Sequence, residues 1–245
     1  MIAHSILALP DTHLEAGLEP SLAYRTAKKF CRDYKPDVII HLGDLLDLSY
    51  LSKFTVNTPL LVEGRRYAGD CSLAEKELAE WRGLADRMEF IEGNHDNRVA
   101  RYVERFPALQ GHMDIRADYR IDDLDIGFTE FNKVLSISKL NFTHGWYYNK
   151  YHAMKHLNSM GDHIFYGHTH DHQAVVQPVR AKRDPYMAMS LGCLCDLNPQ
   201  WRRNWPTEWI NGIGLFEVSS SGSFTPHFIP IIAGELTFNK HTWRS

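Results

Sequence analysis

The chain has 245 residues, of which 44% are hydrophobic, and a formal net charge of −3 at pH 7. This length and composition favour a single domain, residues 1–245, with one sizeable hydrophobic core. The slightly acidic balance excludes an overall basic nucleic-acid-binding protein, although it permits a local basic groove.

The sequence also argues against a membrane protein or a secreted protein. No apolar run approaches the roughly 20 residues that span a bilayer, so we expect no membrane contact. The apolar run 2–10 lacks a basic lead and is predicted to be a strand, not a signal peptide. The cysteines are too scattered for a disulfide framework, which indicates free thiols and a cytoplasmic protein. They are Cys31, Cys71, Cys193 and Cys195.

Predicted strands and helices alternate in the first half of the chain. Apolar runs predict the strands, and Pro36 and Pro107 end two of the helices. Three successive units of strand, polar loop and helix predict a largely parallel sheet with right-handed crossovers. The strands are predicted at 5–9, 37–42 and 89–91, and the helices at about 20–34, 72–88 and 97–106.

The second of these helices is predicted from a signature at its N-terminus. Ser72 and Glu75 have the spacing of a capping box, which would begin the helix at Ser72. Apolar residues follow at helical spacing and would form its buried face. These residues are Leu78, Trp81, Leu84 and Met88.

The second half of the chain is predicted to be mostly strands, with one helix near 149–160 that Gly161 ends. These strands suggest a second mixed sheet, packed face to face on the first. The predicted fold class is therefore α/β, a four-layer α/β/β/α sandwich with the helices outside. The strand-like segments lie near 121–131, 133–138, 139–143, 163–166, 173–179, 186–192, 213–218 and 224–232.

Five short motifs rich in His and Asp lie just after predicted strands. Open α/β sheets bind their ligands at the carboxyl ends of the strands. Glycines in these loops allow sharp turns that could bring polar side chains to one point. The motifs are Asp11-Thr12-His13, Gly43-Asp44, Gly93-Asn94-His95-Asp96, Thr143-His144-Gly145 and Gly167-His168-Thr169-His170.

The motifs supply carboxylate, imidazole and carboxamide donors without sulfur. Such a set suits Mn²⁺, Fe, Zn²⁺, Co²⁺ or Ni²⁺ and argues against Cu(I) and Ca²⁺. We expect two divalent metal ions, with Mn²⁺ as the first choice and Mg²⁺ as a further alternative. Two carboxylates leave such a site with a charge of about +2, which would attract phosphate. The predicted metal ligands are Asp11, His13, Asp44, Asn94, His144, His168 and His170.

A site of this kind predicts hydrolysis of a phosphate ester. Two cations about 3.5–4 Å apart can activate a bridging water and hold two phosphate oxygens for in-line attack by hydroxide. His95 lies beside the ligands without being one of them, which makes it the candidate general acid for the leaving alkoxide. The alternative for His95 is a role in loop packing. Asp96 is expected to cap the next helix or brace the loop instead of binding metal.

Together, the five motifs resemble the calcineurin-like metallophosphoesterase superfamily over about residues 6–172. That superfamily includes serine/threonine phosphatases, purple acid phosphatases, cyclic-nucleotide phosphodiesterases and DNA-repair exonucleases. The resemblance implies that Asp44 bridges two metals and that Asp47 orients His95. Otherwise Asp47 would be a solvated carboxylate at a helix start. The implied ligands are Asp11, His13, Asp44 and His170 for one metal, and Asp44, Asn94, His144 and His168 for the other.

Two departures from the serine/threonine phosphatases favour the phosphodiesterase and nuclease branches. Those phosphatases place an arginine that grips the phosphate directly after the Asp47 position, where this chain has Leu48. They also carry GNHE where this chain carries GNHD. Arg98 follows GNHD and could supply the missing cation, although an ion pair on the helix surface is equally compatible with its position.

Basic and aromatic residues in three places are candidates for substrate binding. The long connection 48–71 contains Arg65 and Arg66, and connections of this length are usually functional or mobile. Trp146 follows the fourth motif and could line the substrate pocket or pack in the core.

The third place is the segment 198–209, which contains Trp201, Arg202 and Arg203. Aromatic rings beside arginines can bind bases and phosphates. They also suit an oligomer interface, and a tryptophan-anchored loop packed on its own sheet is a further alternative.

The leading hypothesis from the sequence is a dinuclear metal-dependent phosphodiesterase that acts on nucleic acid, DNA or RNA, or on a nucleotide diester. The runner-up is a phosphomonoesterase that acts on proteins or small molecules. A non-catalytic scaffold that keeps the fold is a third hypothesis, which the complete set of ligands disfavours. The sequence leaves homo-oligomerisation open.

Overall fold

Two large mixed β-sheets form the centre of the fold. They are seen in a computed structural model, which describes residues 2–53, 55, 57–178, 185–202 and 204–245. The strands are β1 (Ile2–Leu9), β2 (Val38–His41), β3 (Arg87–Ile91), β4 (Gly127–Thr129), β5 (Leu135–Ile137), β6 (Leu140–Thr143), β7 (Ile164–Tyr166), β8 (Ala174–Gln177), β9 (Tyr186–Ser190), β10 (Gly212–Ser219), β11 (Phe224–Pro230), β12 (Glu235–Phe238) and β13 (His241–Arg244). The α-helices are α1 (Leu22–Tyr34), α2 (Tyr67–Arg82), α3 (Arg98–Arg105), α4 (Ile115–Asp118) and α5 (His152–Met160).

The first sheet has the strand order β11-β10-β1-β2-β3-β4. Strands β1 to β4 are parallel, with Leu9 opposite His41 and His41 opposite Phe90. Strands β10 and β11 extend the sheet in antiparallel orientation. Because the parallel strands end side by side, the loops that follow β1, β2 and β3 meet at one edge. The parallel arrangement predicted for the first half of the chain is confirmed.

The second sheet has the strand order β5-β6-β7-β9-β8. Strands β6, β7 and β9 are parallel, and β5 and β8 are antiparallel edge strands. Thr143 at the end of β6 lies opposite Tyr166 at the end of β7. The loops after these two strands therefore also begin next to each other.

Apolar side chains from both sheets meet between them and form a buried layer. Ile40 of the first sheet and Phe142 and Phe165 of the second sheet belong to it. Burying a side chain of this size contributes about 1.5–3 kcal/mol to folding. Helices α1 and α2 cover the other face of the first sheet, and α5 covers the other face of the second. The predicted four-layer α/β/β/α sandwich is confirmed.

Helix α2 begins at Tyr67, well before the start that was predicted at Ser72. Ser72 lies inside the helix, and its Oγ donates a hydrogen bond to the Ala68 carbonyl oxygen at 3.0 Å. Leu84 and Met88 follow the end of the helix, and Met88 is part of β3. The predicted capping box is wrong because a serine hydroxyl can bond the carbonyl one turn earlier instead of capping a helix.

Only the last part of the predicted strand 121–131 is extended. Turns occupy residues 119–125. Arg120 and Asp125 have left-handed φ angles of 56° and 52°, which an extended chain cannot accommodate. Helix α4 and the hairpin of β12 and β13 are further elements that the sequence did not predict.

Local backbone features set the ends of the other helices. Ser21 caps α1, since its Oγ accepts a hydrogen bond from the Tyr24 amide at 3.0 Å. Gly161 ends α5, as predicted, with a left-handed φ of 67° and an amide bonded to the Leu157 carbonyl. In the described part of the chain, no helix is both long enough and apolar enough to cross a bilayer.

His156 on α5 is a buried histidine that makes stability depend on pH. Its Nε2 accepts a hydrogen bond from the Trp146 amide at 2.8 Å, and its ring stacks on Tyr166 with 3.8 Å between centroids. Burial lowers the pKa of His156 from 6.5 to about 4. Because the pKa is lower in the folded protein, this contribution to stability is complete above pH 6.5 and is lost as the pH falls to about 4.

We expect the His156→Gln variant to lose this part of the acid sensitivity. Between pH 6.5 and pH 4, the free energy of unfolding of the parent should fall by roughly 3 kcal/mol more than that of the variant. Urea denaturation at the two pH values measures the difference. The control is His112→Gln, at an exposed histidine, which should behave like the parent. An equal pH dependence in His156→Gln and the parent would contradict this account.

Candidate metal centre

Loops from both sheets converge at one edge of the sandwich. Strands β1, β2 and β3 lead into the loops that carry Asp11, Asp44 and Asn94, and β6 leads into His144. His144 Nδ1 donates a hydrogen bond to the Leu42 carbonyl oxygen at 2.8 Å, which ties the second sheet to the first. This bond fixes the tautomer of His144 and leaves its Nε2 free to bind a cation.

Five of the seven predicted ligands have a backbone in the left-handed region, which residues other than glycine rarely adopt. Each such residue costs about 1–3 kcal/mol. Strain concentrated at one place is typical of functional sites. The φ angles are 36° at Asp11, 43° at His13, 53° at Asp44, 68° at His168 and 60° at His170.

Two glycines allow the carboxylates to approach the neighbouring backbone. A Cβ at Gly93 would overlap the Asp44 carboxylate, and a Cβ at Gly167 would overlap the Asp11 carboxylate. The His168 amide donates to both carboxylate oxygens of Asp11, at 3.0 and 2.8 Å. The glycines of the motifs therefore let the backbone hold the ligands in place.

Asp11, His13 and His170 form the first group of donors, with ligand atoms that all lie within 4.8 Å of one another. His13 Nε2 faces His170 Nε2 at 3.1 Å, and His170 Nε2 lies 3.4 Å from Asp11 Oδ1. Two imidazole nitrogens that face each other need a proton or a cation between them, because their lone pairs repel.

Asp11, Asp44 and His144 form the second group, again within 4.8 Å. His144 Nε2 lies 3.5 Å from Asp44 Oδ2 and 2.9 Å from Asn94 Oδ1. All three members of the group are buried. Since Asp11 belongs to both groups, the two sets of donors are adjacent.

His168 lies beside the second group. Its ring centroid is 5.0 Å from that of His144. Among the described residues, its ring nitrogens belong to neither group of donors. Burial and the neighbouring His144 lower the pKa of His168 to about 4, so the ring is neutral at physiological pH, as a metal ligand must be.

Asp44 occupies the middle of the cluster. Its Oδ2 lies 3.6 Å from His13 Nε2, 3.5 Å from His144 Nε2 and 3.9 Å from His95 Nε2. Its Oδ1 accepts a hydrogen bond from the His95 amide at 2.7 Å. Burial opposes ionisation of this carboxyl, but the surrounding histidines outweigh it and hold the pKa of Asp44 below its usual range. A charged Asp44 in this position would attract cations held by the histidines on either side of it.

The donor set fits a pair of divalent cations. Carboxylate oxygens and imidazole nitrogens lie together in a buried or half-buried cluster, and two of the nitrogens face each other across 3.1 Å. Buried charges of this kind are normally paired or bound to metal. The seven predicted ligands would hold the two cations.

Asp47 connects two histidines at the edge of the cluster. Its Oδ1 lies 3.1 Å from His95 Nδ1 and 3.3 Å from His13 Nδ1. Burial opposes ionisation of Asp47, but hydrogen bonds with His13 and His95 keep its pKa well below the usual range. The predicted contact between Asp47 and His95 is present, and it orients the His95 ring.

Asp96 braces the two loops that carry Asp44 and His95. Its Oδ2 accepts hydrogen bonds from the Asp44 amide at 2.7 Å and the Gly93 amide at 2.9 Å. Burial and the neighbouring Asp44 raise the pKa of Asp96 to about 7. This arrangement agrees with the bracing role that was predicted for it.

The sequence of the whole motif region matches a known family. A model of the calcineurin-like phosphoesterases matches residues 4–172, which include all seven predicted ligands. The chain belongs to the calcineurin-like phosphoesterase family. Membership makes the protein a metal-dependent phosphoester hydrolase and implies a dinuclear centre of divalent metals at the two donor groups.

This calcineurin-like phosphoesterase is also similar to two phage proteins. The gene 54 protein of Mycobacterium phage D29 is 24% identical to it, over 97% of this chain and 98% of the phage protein. The gene 54 protein of Mycobacterium phage L5 is 25% identical, over 86% of this chain and 88% of the phage protein. The similarity therefore extends over most of each chain.

Arg98 lies against the candidate general acid of this calcineurin-like phosphoesterase. Its Nη2 lies 2.8 Å from His95 Nε2, and its Nη1 donates to the Asp47 carbonyl oxygen at 2.6 Å. Within the described residues, Arg98 pairs with no carboxylate. Among these residues, Arg98 therefore forms no ion pair on the helix surface, and its guanidinium group lies beside His95.

Three other predicted substrate residues of the phosphoesterase make separate contacts. Arg65 pairs with Glu15 at 2.7 Å, and Arg66 Nη1 donates to the Arg65 carbonyl oxygen. The Trp146 ring stacks on His156 with 5.6 Å between centroids. None of the three hydrogen-bonds to a predicted metal ligand among the described contacts. Their role in substrate binding stays a prediction.

Trp209, in the aromatic segment 198–209, lies beside His170, one of the predicted metal ligands of the phosphoesterase. The Trp209 ring lies 4.3 Å from the His170 ring. The Arg202 guanidinium lies over Trp209 at 4.3 Å and over Trp201 at 5.5 Å. Its buried Nε has no hydrogen-bond partner in the described part of the chain. Arg203 lies outside the described residues.

Two cysteines at the site were missed because the sequence indicated only free thiols. Cys193 and Cys195 are free and buried, and Cys195 Sγ lies 3.8 Å from His170 Nδ1. They follow β9, which lies beside β7 in the second sheet, so their loop reaches the same edge as His170. No signal in the sequence indicates this contact, because it depends on the order of the strands in the sheet.

Proposed function

We propose that this protein is a dinuclear metal-dependent phosphodiesterase that acts on nucleic acid or on nucleotide diesters. The observation that carries the proposal is the stack of Trp209, Arg202 and Trp201 beside the ligand His170. An exposed aromatic ring next to a hydrolytic centre can stack on a base, and a guanidinium beside it can bind the adjoining phosphate. Trp201 is 55% exposed, so its ring is open to a substrate.

The charge of the site supports an anionic substrate. Asp11 and Asp44 carry two negative charges, and the imidazoles and Asn94 that complete the donor set are neutral as ligands. Two divalent cations would leave the centre with a charge of about +2, or +1 with hydroxide. A phosphodiester, which carries one negative charge, would be drawn to it.

Bound cations would supply an activated water and neutralise phosphate oxygens. The protein's own residues would complete the reaction. Asp47 orients His95 through Nδ1, and His95 Nε2 faces the cluster, where it can give a proton to the leaving oxygen. A phosphate oxygen that accepts the hydrogen bond of Arg98 would free His95 Nε2 to take up a proton from solvent and then give it to the leaving oxygen.

The residue at position 48 supports a diester over a monoester. In the serine/threonine phosphatases an arginine holds the phosphate there. Leu48 is 1% exposed and belongs to the core, so this position offers no positive charge to the second charge of a monoester.

A phosphomonoesterase is the second candidate, because one observation favours it. Arg98 brings a guanidinium to the site, although from α3 and not from position 48. Such a group could bind the terminal oxygens of a phosphate monoester. The two candidates therefore differ in what Arg98 binds.

Mn²⁺ is the cation that we propose, with Fe, Zn²⁺, Co²⁺, Ni²⁺ and Mg²⁺ as alternatives, because the predicted ligands offer only nitrogen and oxygen. The proposed location is the cytoplasm, where the four free cysteines would stay reduced.

A comparison of two chromogenic substrates tests the proposed function. We expect the Mn²⁺-loaded protein to hydrolyse bis-p-nitrophenyl phosphate with a kcat/KM at least about tenfold above that for p-nitrophenyl phosphate, since Leu48 offers no positive charge to the second negative charge of a monoester. A preference for the monoester would replace the diesterase with the phosphomonoesterase. Turnover of neither substrate, nor of a dinucleotide, would favour the scaffold hypothesis.

A further inference from the structure

A shallow, open groove lies on the surface of α5 and of the loop that precedes it, outside the predicted metal centre. Its cavity has a volume of about 410 Å³. The groove contains no predicted metal ligand and no residue of the segment 198–209. It is lined by Asn149, Lys150, Tyr151, Met154, Lys155 and Asn158.

The groove starts at the residue after Tyr148, and Tyr148 lies near a predicted metal ligand. The Tyr148 ring is 84% exposed and lies 6.4 Å from the ring of the predicted ligand His168. Asn149 and Lys150 are the next residues along the chain, and consecutive Cα atoms are about 3.8 Å apart. A polymer held at the metal centre would therefore reach the groove within a few ångströms of Tyr148.

Hydrogen bonds connect the groove to the loop that carries the ligands. Gln173 Nε2 donates to the Lys150 carbonyl oxygen at 3.1 Å and to Asp171 Oδ2 at 3.2 Å. His152, at the start of α5, also bonds Asp171 Oδ2 through Nε2, at 2.9 Å. Asp171 directly follows His170, so the position of the groove relative to the metal ligands is fixed by these bonds.

The charge of the groove is positive and is not neutralised by neighbouring acids. Lys150 Nζ lies 5.5 Å from the Tyr151 ring centroid, and Lys155 Nζ lies 4.1 Å from that of Tyr147. Neither lysine pairs with a carboxylate in the part of the chain that the structure describes. Tyr151 is 69% exposed, so an aromatic face stands open beside the two ammonium groups.

We infer that this groove binds a single nucleic-acid strand on one side of the phosphate that is cleaved, an inference that rests on the proposed function. The two ammonium groups would contact backbone phosphates, and Tyr148 and Tyr151 would stack on bases. Proteins that bind single strands combine a cationic track with such aromatic faces. The substrate class that this inference requires is a polynucleotide, because the occupant must extend from the metal centre to the groove.

The test measures how tightly Mn²⁺-loaded protein binds a short single-stranded DNA whose linkages are phosphorothioates. Fluorescence anisotropy gives the affinity at several salt concentrations. The double variant Lys150→Gln/Lys155→Gln should bind about tenfold more weakly than the parent. The slope of log K against log salt should also decrease in magnitude by about 1.4, because two phosphate contacts are lost and each accounts for about 0.7 on a single strand. The matched control is Lys139→Gln/Lys240→Gln, which removes the same charge from exposed positions away from α5.

Equal affinity and an equal salt slope in the groove variant and the parent would overturn the inference. An equal loss in the control variant would also overturn it, because the effect would then come from net charge alone. Hydrolysis of bis-p-nitrophenyl phosphate by the parent tests the proposed function separately, since this small diester has no strand to occupy the groove. If the parent hydrolyses that diester and the groove variant binds DNA as tightly as the parent, the proposed function holds and the inference about the groove is wrong.

Discussion

The His95→Asn variant is expected to hydrolyse a dinucleotide about 10²–10⁴ times more slowly than the parent while its metal content stays the same. The reason is geometric. His95 Nδ1 is held by Asp47 at 3.1 Å, which turns Nε2 towards Asp44, 3.9 Å away. Asparagine can keep part of this hydrogen bonding, but it cannot give a proton to the leaving alkoxide.

The leaving group separates an acid role from a structural one. A p-nitrophenolate leaves readily without a proton, so His95→Asn should lose much less activity towards bis-p-nitrophenyl phosphate than towards the dinucleotide. Steady-state kcat for both substrates, together with elemental analysis, gives the comparison. The control variant is His112→Asn, at an exposed position. Equal losses for the two substrates would count against proton transfer by His95.

The Asp44→Asn variant is expected to bind fewer than two metal ions per chain and to lose a factor of about 10³ or more in kcat. Asp44 Oδ2 lies 3.6 Å from His13 Nε2 and 3.5 Å from His144 Nε2, which belong to different groups of donors. Its negative charge would therefore stabilise a cation bound by either group. Metal ions contribute several kcal/mol to reactions of this kind, and each 1.4 kcal/mol corresponds to about a factor of ten in rate.

Elemental analysis and kcat for bis-p-nitrophenyl phosphate measure both effects in the same preparation. Asp86→Asn, at an exposed position outside the site, is the matched control and should retain parental values. An Asp44→Asn protein with two tightly bound ions and parental kcat would show that Asp44 is not a ligand.

The sequence was sufficient to predict that the side chains of these motifs lie close together, because the motifs directly follow apolar strands; their role as metal ligands stays a prediction. Asp11 and Asp44 follow β1 and β2, and parallel strands end at a common edge whatever the loops contain. The same argument holds for His144 and His170 after β6 and β7. The prediction needed only the periodicity of the strands and the identity of the donors.

Features that depend on distant contacts could not be predicted in this way. The start of α2 at Tyr67 coincides with a hydrogen bond from its hydroxyl to Asp118, far along the chain, and no local signal marks it. Cys195 meets His170 only because β9 lies beside β7 in the sheet. Sequence spacing carries no information about either contact.

The left-handed backbone of the ligands is a second feature that the sequence did not reveal. His13 and His170 have φ angles of 43° and 60°, in a region that only a few per cent of non-glycine residues adopt, although histidine is enriched among them. Glycine in the same motifs predicted the turns, but the strained residues are the ligands themselves. The strain is offset by the contacts of the folded site, which only the complete structure shows.

The central claim is that Asp11, Asp44 and their neighbouring histidines hold two metal ions. The measurement that tests it most directly is the ratio of metal to protein after the purified chain is loaded with Mn²⁺ and freed of unbound ions by gel filtration. We predict two equivalents of Mn²⁺ per chain in the parent. A parent protein that retains no divalent metal under these conditions would contradict the account.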